Sequence, residues 1–186
     1  DSITLPAASG PLWPSSSTIR VEATLSDRRN RVVTSSTVGN TEKSSGLRVY
    51  NATSITIASD HVTLDLMGCS LTHTGPGPDV YPYGVYMLAR KNVEIRNGTI
   101  SGFYTGIFES HWTDGANHRV INIRADFNKV ADSGMGIDLV GVNHLVRDCT
   151  ASHNGSGGIS LLSGTITGCV ASDNGKVGFS IGGPGS

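Results

Sequence analysis

A glycine followed by alternating residues recurs five times along this chain: Gly84-Val85-Tyr86-Met87, Gly106-Ile107-Phe108-Glu109, Gly136-Ile137-Asp138-Leu139, Gly158-Ile159-Ser160-Leu161 and Gly178-Phe179-Ser180-Ile181. The spacings are 22, 30, 22 and 20 residues. A second alternating line falls between them: Val93-Glu94-Ile95-Arg96-Asn97-Gly98-Thr99-Ile100, Val120 to Asn128, Val146 to Asn154 and Ile166 to Asn174. Internal repetition at such a period marks a stacked architecture. Each unit holds two or three short strands separated by Gly, Asn and Asp turns. Alternation gives each strand an inner and an outer face. One unit cannot bury its inner face alone, so units stack about 4.8 Å apart and share a continuous core.

Aligned units predict vertical columns. Ile137, Ile159 and Phe179 share one interior column. Ile123, Cys149 and Cys169 form another, and Ala125, Ala151 and Ala171 a third. Asn128, Asn154 and Asn174 fall at one turn, where stacked amides satisfy their own donors and acceptors. Cys149 and Cys169 become neighbours, read as buried free thiols, with a disulfide left open. Three cysteines in all, with no CxxC spacing, are too few for a disulfide framework and give no zinc pattern.

These stretches, most clearly Ile55-Thr56-Ile57 through Val62-Thr63-Leu64-Asp65-Leu66-Met67-Gly68 and Val93 through Phe103, resemble the right-handed parallel β-helix superfamily, the pectate-lyase-like fold. The resemblance covers about residues 46 to 182. It implies an all-β, single-stranded right-handed parallel β-helix of roughly six coils over residues 46–186, after an irregular N-terminal arm or cap over 1–45. In that arm Thr18 to Leu25 alternates as a strand does, and Pro6, Pro11 and Pro14 stiffen the approach.

Composition fits. The 24 glycines and 16% charged residues compare with about 7% and 25% in ordinary globular chains. The chain is turn-rich and its surface carries little charge. Net charge is −1 with no basic stripe, so no nucleic-acid partner is expected. No apolar run reaches the roughly 18 residues of a membrane span. The chain begins at Asp1 without a recognisable signal segment, which reads as a mature secreted form or an excised segment. An extracellular, cell-surface or virion-surface setting is expected.

The resemblance implies polysaccharide chemistry in some members. A polygalacturonase-like site needs paired aspartates and a Gly-His-Gly tripeptide; neither occurs here. A pectate-lyase-like site needs acidic calcium ligands and a basic residue, for which Asp126, Asp138, Arg124 and Arg147 are the nearest outward residues. Asp126 stacks on Ser152 and Ser172, and Asp138 on Ser160 and Ser180, a poor calcium cluster. No cofactor is therefore assigned, with calcium the only one kept in view. Glu109, His111 and Asp114 are the catalytic candidates, in the segment Glu109-Ser110-His111-Trp112-Thr113-Asp114-Gly115, because a buried carboxylate beside an imidazole can work as acid or base. The simpler reading ends the strand at Phe108 and leaves a solvated loop. The other histidines, His61, His73, His118, His144 and His153, read as scattered near turns. Tyr81, Tyr83, Tyr86, Tyr104, Phe108 and Trp112 form an aromatic group that can meet sugars or a partner protein; Tyr86 and Phe108 are expected as outward neighbours. Asn51 and Asn97 are candidate glycosylation sites, while Asn154 belongs to the amide column.

The last coil begins at Gly178 and runs into Gly182-Gly183-Pro184-Gly185-Ser186, with no amphipathic helix to cover it. An open rung is a sticky edge. The first functional expectation is therefore a self-associating structural subunit of a fibre, filament, spike or surface layer. The alternative is a secreted carbohydrate-active enzyme, of polysaccharide lyase, epimerase or hydrolase type, or a carbohydrate-binding module.

Overall fold

The structure, a computed structural model, describes residues 2–5, 17–19, 25–26, 32–33, 48–50, 54–57, 59–73, 82–110, 114–129 and 132–182. Asn51, Tyr81, His111 and Trp112 lie outside the described residues. The chain is a parallel β-helix. One sheet stacks Ser2–Leu5, Ser54–Ile57, Tyr83–Met87, Thr105–Glu109, Met135–Leu139, Gly157–Leu161 and Val177–Ile181 in that order. The other sheet centres on the long strands Glu94–Ser101 and Arg119–Asp126. The first half of each pairs with a short strand of a neighbouring coil, Val62–Asp65 or His144–Arg147. The second half pairs with Ser70–Thr72 or Thr150–Ser152. We call these the seven-stranded and ten-stranded sheets. Apart from a two-stranded antiparallel pair, Leu25–Ser26 with Val32–Val33, the strand pairings are parallel.

The expected columns are present. Val85, Ile107, Ile137, Ile159 and Phe179 follow one another in register. The first four are fully buried, whereas Phe179 on the last described rung is 44% exposed. Each fully buried large apolar side chain stabilises by roughly 1.5–3 kcal/mol. Ala125, Ala151 and Ala171 align. The Cys149 backbone N–H points at Cys169 Sγ, 3.4 Å away. All three cysteines are free thiols, and burial pushes the Cys149 thiol up to about 12.

The asparagine column explains the repeating glycine. Asn128 N–H donates to Asn154 Oδ1 (3.0 Å), and Asn154 N–H donates to Asn174 Oδ1 (3.0 Å). The Asn154 amide also reaches Ala125 O at 3.0 Å. A Cβ at Gly136 would lie 2.6 Å from Gly158 O and 2.9 Å from Asn154 Nδ2. Only a residue without a side chain lets the backbone approach its asparagine.

Corners of the coil use left-handed backbone. Asn92, Asn117 and Asn143 at one corner, and Asn97, Asn122 and Asp148 at another, have φ between 52° and 58°. Asn and Asp tolerate this conformation best among residues with side chains. The corners therefore stack polar side chains beside the outer face of the ten-stranded sheet.

Candidate functional site

The left-handed corner before the ten-stranded sheet and the first outward residues of its strands enclose a groove. It is lined by His61, Thr63, Asn92, Glu94, Asn117 and Arg119, with a volume of about 370 Å³. Parallel register makes it run along the helix axis: Thr63, Glu94 and Arg119 succeed one another on adjacent rungs. Asn117 Nδ2 donates to Asn92 Oδ1 at 3.2 Å. At the next corner a second hollow, about 290 Å³, is bordered by Asn97, Thr99, Asn122, Arg124 and Thr150.

Ion pairs occupy the strip between them. Arg96 bonds Asp65 Oδ2 at 2.9 Å and Glu94 Oε1 at 2.8 Å. Arg119 reaches Glu94 Oε2 at 3.3 Å, and Arg124 pairs with Asp126. Burial alone would raise the Asp65 carboxyl, but the Met67 N–H, the Asn97 amide and Arg96 together hold it below the usual range. The pairs share an orientation. Arg119 and Arg124 are 53% and 64% exposed, while the side chains of Glu94 and Asp126 are only 15% and 3% exposed. Opposite charges balance in number, yet a ligand arriving from solvent meets guanidinium groups first. Arg147 adds a fourth guanidinium on the next rung, paired with an exposed Asp148 at 3.3 Å.

The aromatic group lies on the other sheet. Tyr86 and Phe108 are outward neighbours in register and half-buried. The rings pack against one another and stay partly exposed. Tyr83 stacks on Phe108 at 4.6 Å and on Tyr86 at 5.4 Å, and meets Tyr104 edge-on at 6.2 Å. Tyr86 Oη also contacts Ser110 Oγ at 3.0 Å.

Glu109 corrects the simpler reading of its loop. The strand does not end at Phe108; it continues through Glu109, which is fully buried. Glu109 occupies the interior position that Met87 and Leu139 hold on adjacent rungs. Its Oε1 accepts Ala89 N–H at 2.6 Å, and its Oε2 lies 3.1 Å from His118 Nε2. Its imidazole partner is thus His118, buried inside the coil, while Asp114 sits in an exposed turn.

His118 and His144, read from sequence as scattered near turns, are instead buried and stacked at 5.0 Å. Val93 N–H points at His118 Nδ1, and His118 N–H at His144 Nδ1, each at 3.3 Å. Both Nδ1 atoms accept, so both rings carry their proton on Nε2. His118 then donates to Glu109, and His144 donates to Val140 O at 3.2 Å. Burial, with a smaller push from His118, takes His144 down to about 4.

Asp126, in register with Ser101 and Ser152 and paired with the exposed Arg124, is nonetheless buried, with Ser152 Oγ donating at 2.7 Å and Ser152 N–H at 3.1 Å. Among the described residues no group of three or more His, Cys, Asp or Glu could hold a metal. The Asn97 amide donates to Asp65 at 3.1 Å and its Oδ1 accepts from Asn122. The groove and the arginine-outward polarity escaped sequence reasoning. Period-two alternation assigns a face to Glu94 and Arg119 but not the depth at which each side chain ends.

Among curated proteins and among solved structures, no match to this chain was found. A family model described as a right-handed β-helix region matches residues 23–186. With parallel rungs, stacked interior columns and that match in hand, the chain belongs to the right-handed β-helix family.

Proposed function

We propose that the protein is an extracellular β-helix that binds an anionic polysaccharide lengthwise on the outer face of its ten-stranded sheet. The observation that carries this reading is the arginine-outward orientation of the ion pairs beside the axial groove. Rung spacing repeats polar side chains about every 4.8 Å, close to the rise per sugar of an extended polysaccharide. Arg119 and Arg124 keep N–H donors for ligand carboxylates, and a guanidinium matches a carboxylate in planar, two-point geometry. The Asn92 and Asn117 amides can serve sugar hydroxyls.

Binding is favoured over bond cleavage. A general acid must hold a proton at working pH. Asp65, bonded to Arg96 in this strip, is held below the ordinary carboxylate range.

Exposed ion pairs contribute only about 0.2–1 kcal/mol each, so the test removes two contacts. In native gels containing polygalacturonate, the wild type is expected to be retarded, less so as salt rises. The double variant Arg119→Gln, Arg124→Gln should migrate as it does without polymer. Equal retardation by the methyl-esterified, uncharged polymer would sink the reading.

A second reading, a self-associating fibre or surface-layer subunit, is favoured by a different observation. Val170, Val177, Phe179 and Ile181 are exposed on the last described rung, and Val177–Ile181 is the last of the described strands in its sheet. A second copy docked there would continue that sheet and cover the interior columns. Light scattering should then show assemblies that Phe179→Asp disperses; monomers at all concentrations would reject it.

A further inference from the structure

The outer face of the seven-stranded sheet holds an electron-rich cluster that the polysaccharide reading does not use. Its column runs from Tyr86 to Phe108, then steps down to Asp138 and Ser160. Tyr83 stacks across Phe108, with Tyr104 against its edge. Asp138 lies next to Phe108 on the adjacent rung, and burial raises the Tyr83 phenol, with Tyr104, Tyr86 and Asp138 each adding to that rise. Burial likewise raises the Asp138 carboxyl, against the opposing hydrogen bond from Ser160. Among the described residues no lysine or arginine pairs with Asp138.

A half-buried carboxylate next to Phe108, at the edge of an aromatic cluster, is an unbalanced arrangement. The rings present negative faces and phenol oxygens, the carboxylate adds a full charge, and among the described residues no lysine or arginine pairs with it. The chemistry that completes it is a positive charge spread over a greasy surface, which aromatic groups attract and which loses little on leaving water. A hard metal ion fits poorly. Calcium takes six to eight oxygen ligands, and among the described residues no group of three or more His, Cys, Asp or Glu gathers here.

We propose that Tyr83, Tyr86, Tyr104, Phe108 and Asp138 form a binding site for an organic ammonium group, the cationic head of a small quaternary amine or of an amino sugar. The ammonium sits over the aromatic cluster with Asp138 as its counter-ion. This site is on the sheet opposite the arginine-lined groove and does not depend on it.

An amide chemical-shift titration at pH 7.5 tests it. Tetramethylammonium chloride and glucosamine hydrochloride are added separately, with sodium chloride as the ionic-strength control. Saturable shifts confined to the strands Tyr83–Met87, Thr105–Glu109 and Met135–Leu139 are expected with the organic cations and not with sodium. Asp138→Asn should weaken binding by about tenfold or more, the loss of one charge contact worth a decade in affinity. Tyr83→Phe, which keeps the ring and removes one oxygen, should weaken it less. Tighter binding of tetramethylammonium supports the site and identifies a quaternary amine; tighter binding of glucosamine supports it and identifies an amino sugar. Equal shifts with sodium chloride, or undiminished binding in both variants, would overturn the proposal.

Discussion

Two polar columns run through the interior, and they are built on opposite principles. Asn128, Asn154 and Asn174 each donate and accept, so the column is self-complementary and can be extended by one residue per coil. Val93, His118, His144 and Glu109 form a directional set. Backbone donors feed Nδ1 acceptors, the Nε2 protons point onward, and the His118 branch ends at a buried carboxylate. That arrangement cannot repeat, because a carboxylate has no proton to pass on. The same interior positions on neighbouring coils are Met87, Leu139 and Leu161 in place of Glu109. The asparagine column acts as a ruler for the coil; the histidine column is a single event within it.

The largest expected effect comes from cutting the ruler. In Asn154→Ala the buried Asn128 N–H and Ala125 carbonyl lose their side-chain partner. Leaving buried groups unpaired costs about 1–3 kcal/mol each, so a loss of about 3 kcal/mol is expected. For a chain of this size that lowers the melting temperature by about 6–12 °C. Since no asparagine titrates, the loss should be the same at every pH. A drop of under about 2 °C would mean the column follows the coil rather than tying it.

The histidine column, by contrast, should make stability depend on pH. His144 titrates near 4 when folded, against an ordinary 6.5. The unfolded chain therefore binds a proton at a pH where the folded chain refuses it. The stabilising contribution is complete above 6.5 and falls as pH drops toward 4. At about 1.4 kcal/mol per pKa unit, the loss approaches 3 kcal/mol. Asp138, raised by burial, acts the other way and gains as pH falls, so the informative quantity is a difference between proteins. In chemical denaturation from pH 7.5 to 4, wild type should lose more stability than His144→Gln, whose amide can make the same two hydrogen bonds without titrating. Parallel curves for the two proteins would show that His144 carries no such linkage.

The same contrast decides what the sequence could reveal. Whatever happens once per coil was visible: the glycine, the asparagine, the alternation around Ile137 and Ile159. The glycine and asparagine even predict each other, since Gly136 and Gly158 are small because Asn154 and Asn174 press on them. Glu109, His118 and His144 each occur once, nine and twenty-six residues apart in succession, and no period brings them together. The coil does so, by placing the end of one sheet's strand beside the corner that precedes the other. The groove was hidden for a related reason. Arg119 and Glu94 both alternate correctly as outward residues, and only the pairing of adjacent rungs puts the acid beneath the base.

The smallest expected effect sharpens the contrast most, because it tests direction rather than presence. In the native column His118 Nδ1 accepts from Val93, so Nε2–H must donate, and both Glu109 oxygens must accept. Glu109→Gln keeps shape and burial but turns one acceptor into a donor. With its oxygen toward Ala89 N–H, the amide nitrogen faces His118 Nε2–H; with its oxygen toward His118, the nitrogen faces Ala89 N–H. Either way one donor pair is opposed, at about 1–3 kcal/mol. Removing a buried carboxylate offsets part of that loss, since taking a charge out of water is itself unfavourable. The net expectation is a modest destabilisation of about 1 kcal/mol, far below Asn154→Ala. Nitrogen-15 shifts of the His118 ring should report the Nε2–H form in the wild type. If the wild-type ring instead carries its proton on Nδ1, or Glu109→Gln proves clearly more stable, the column does not run toward Glu109.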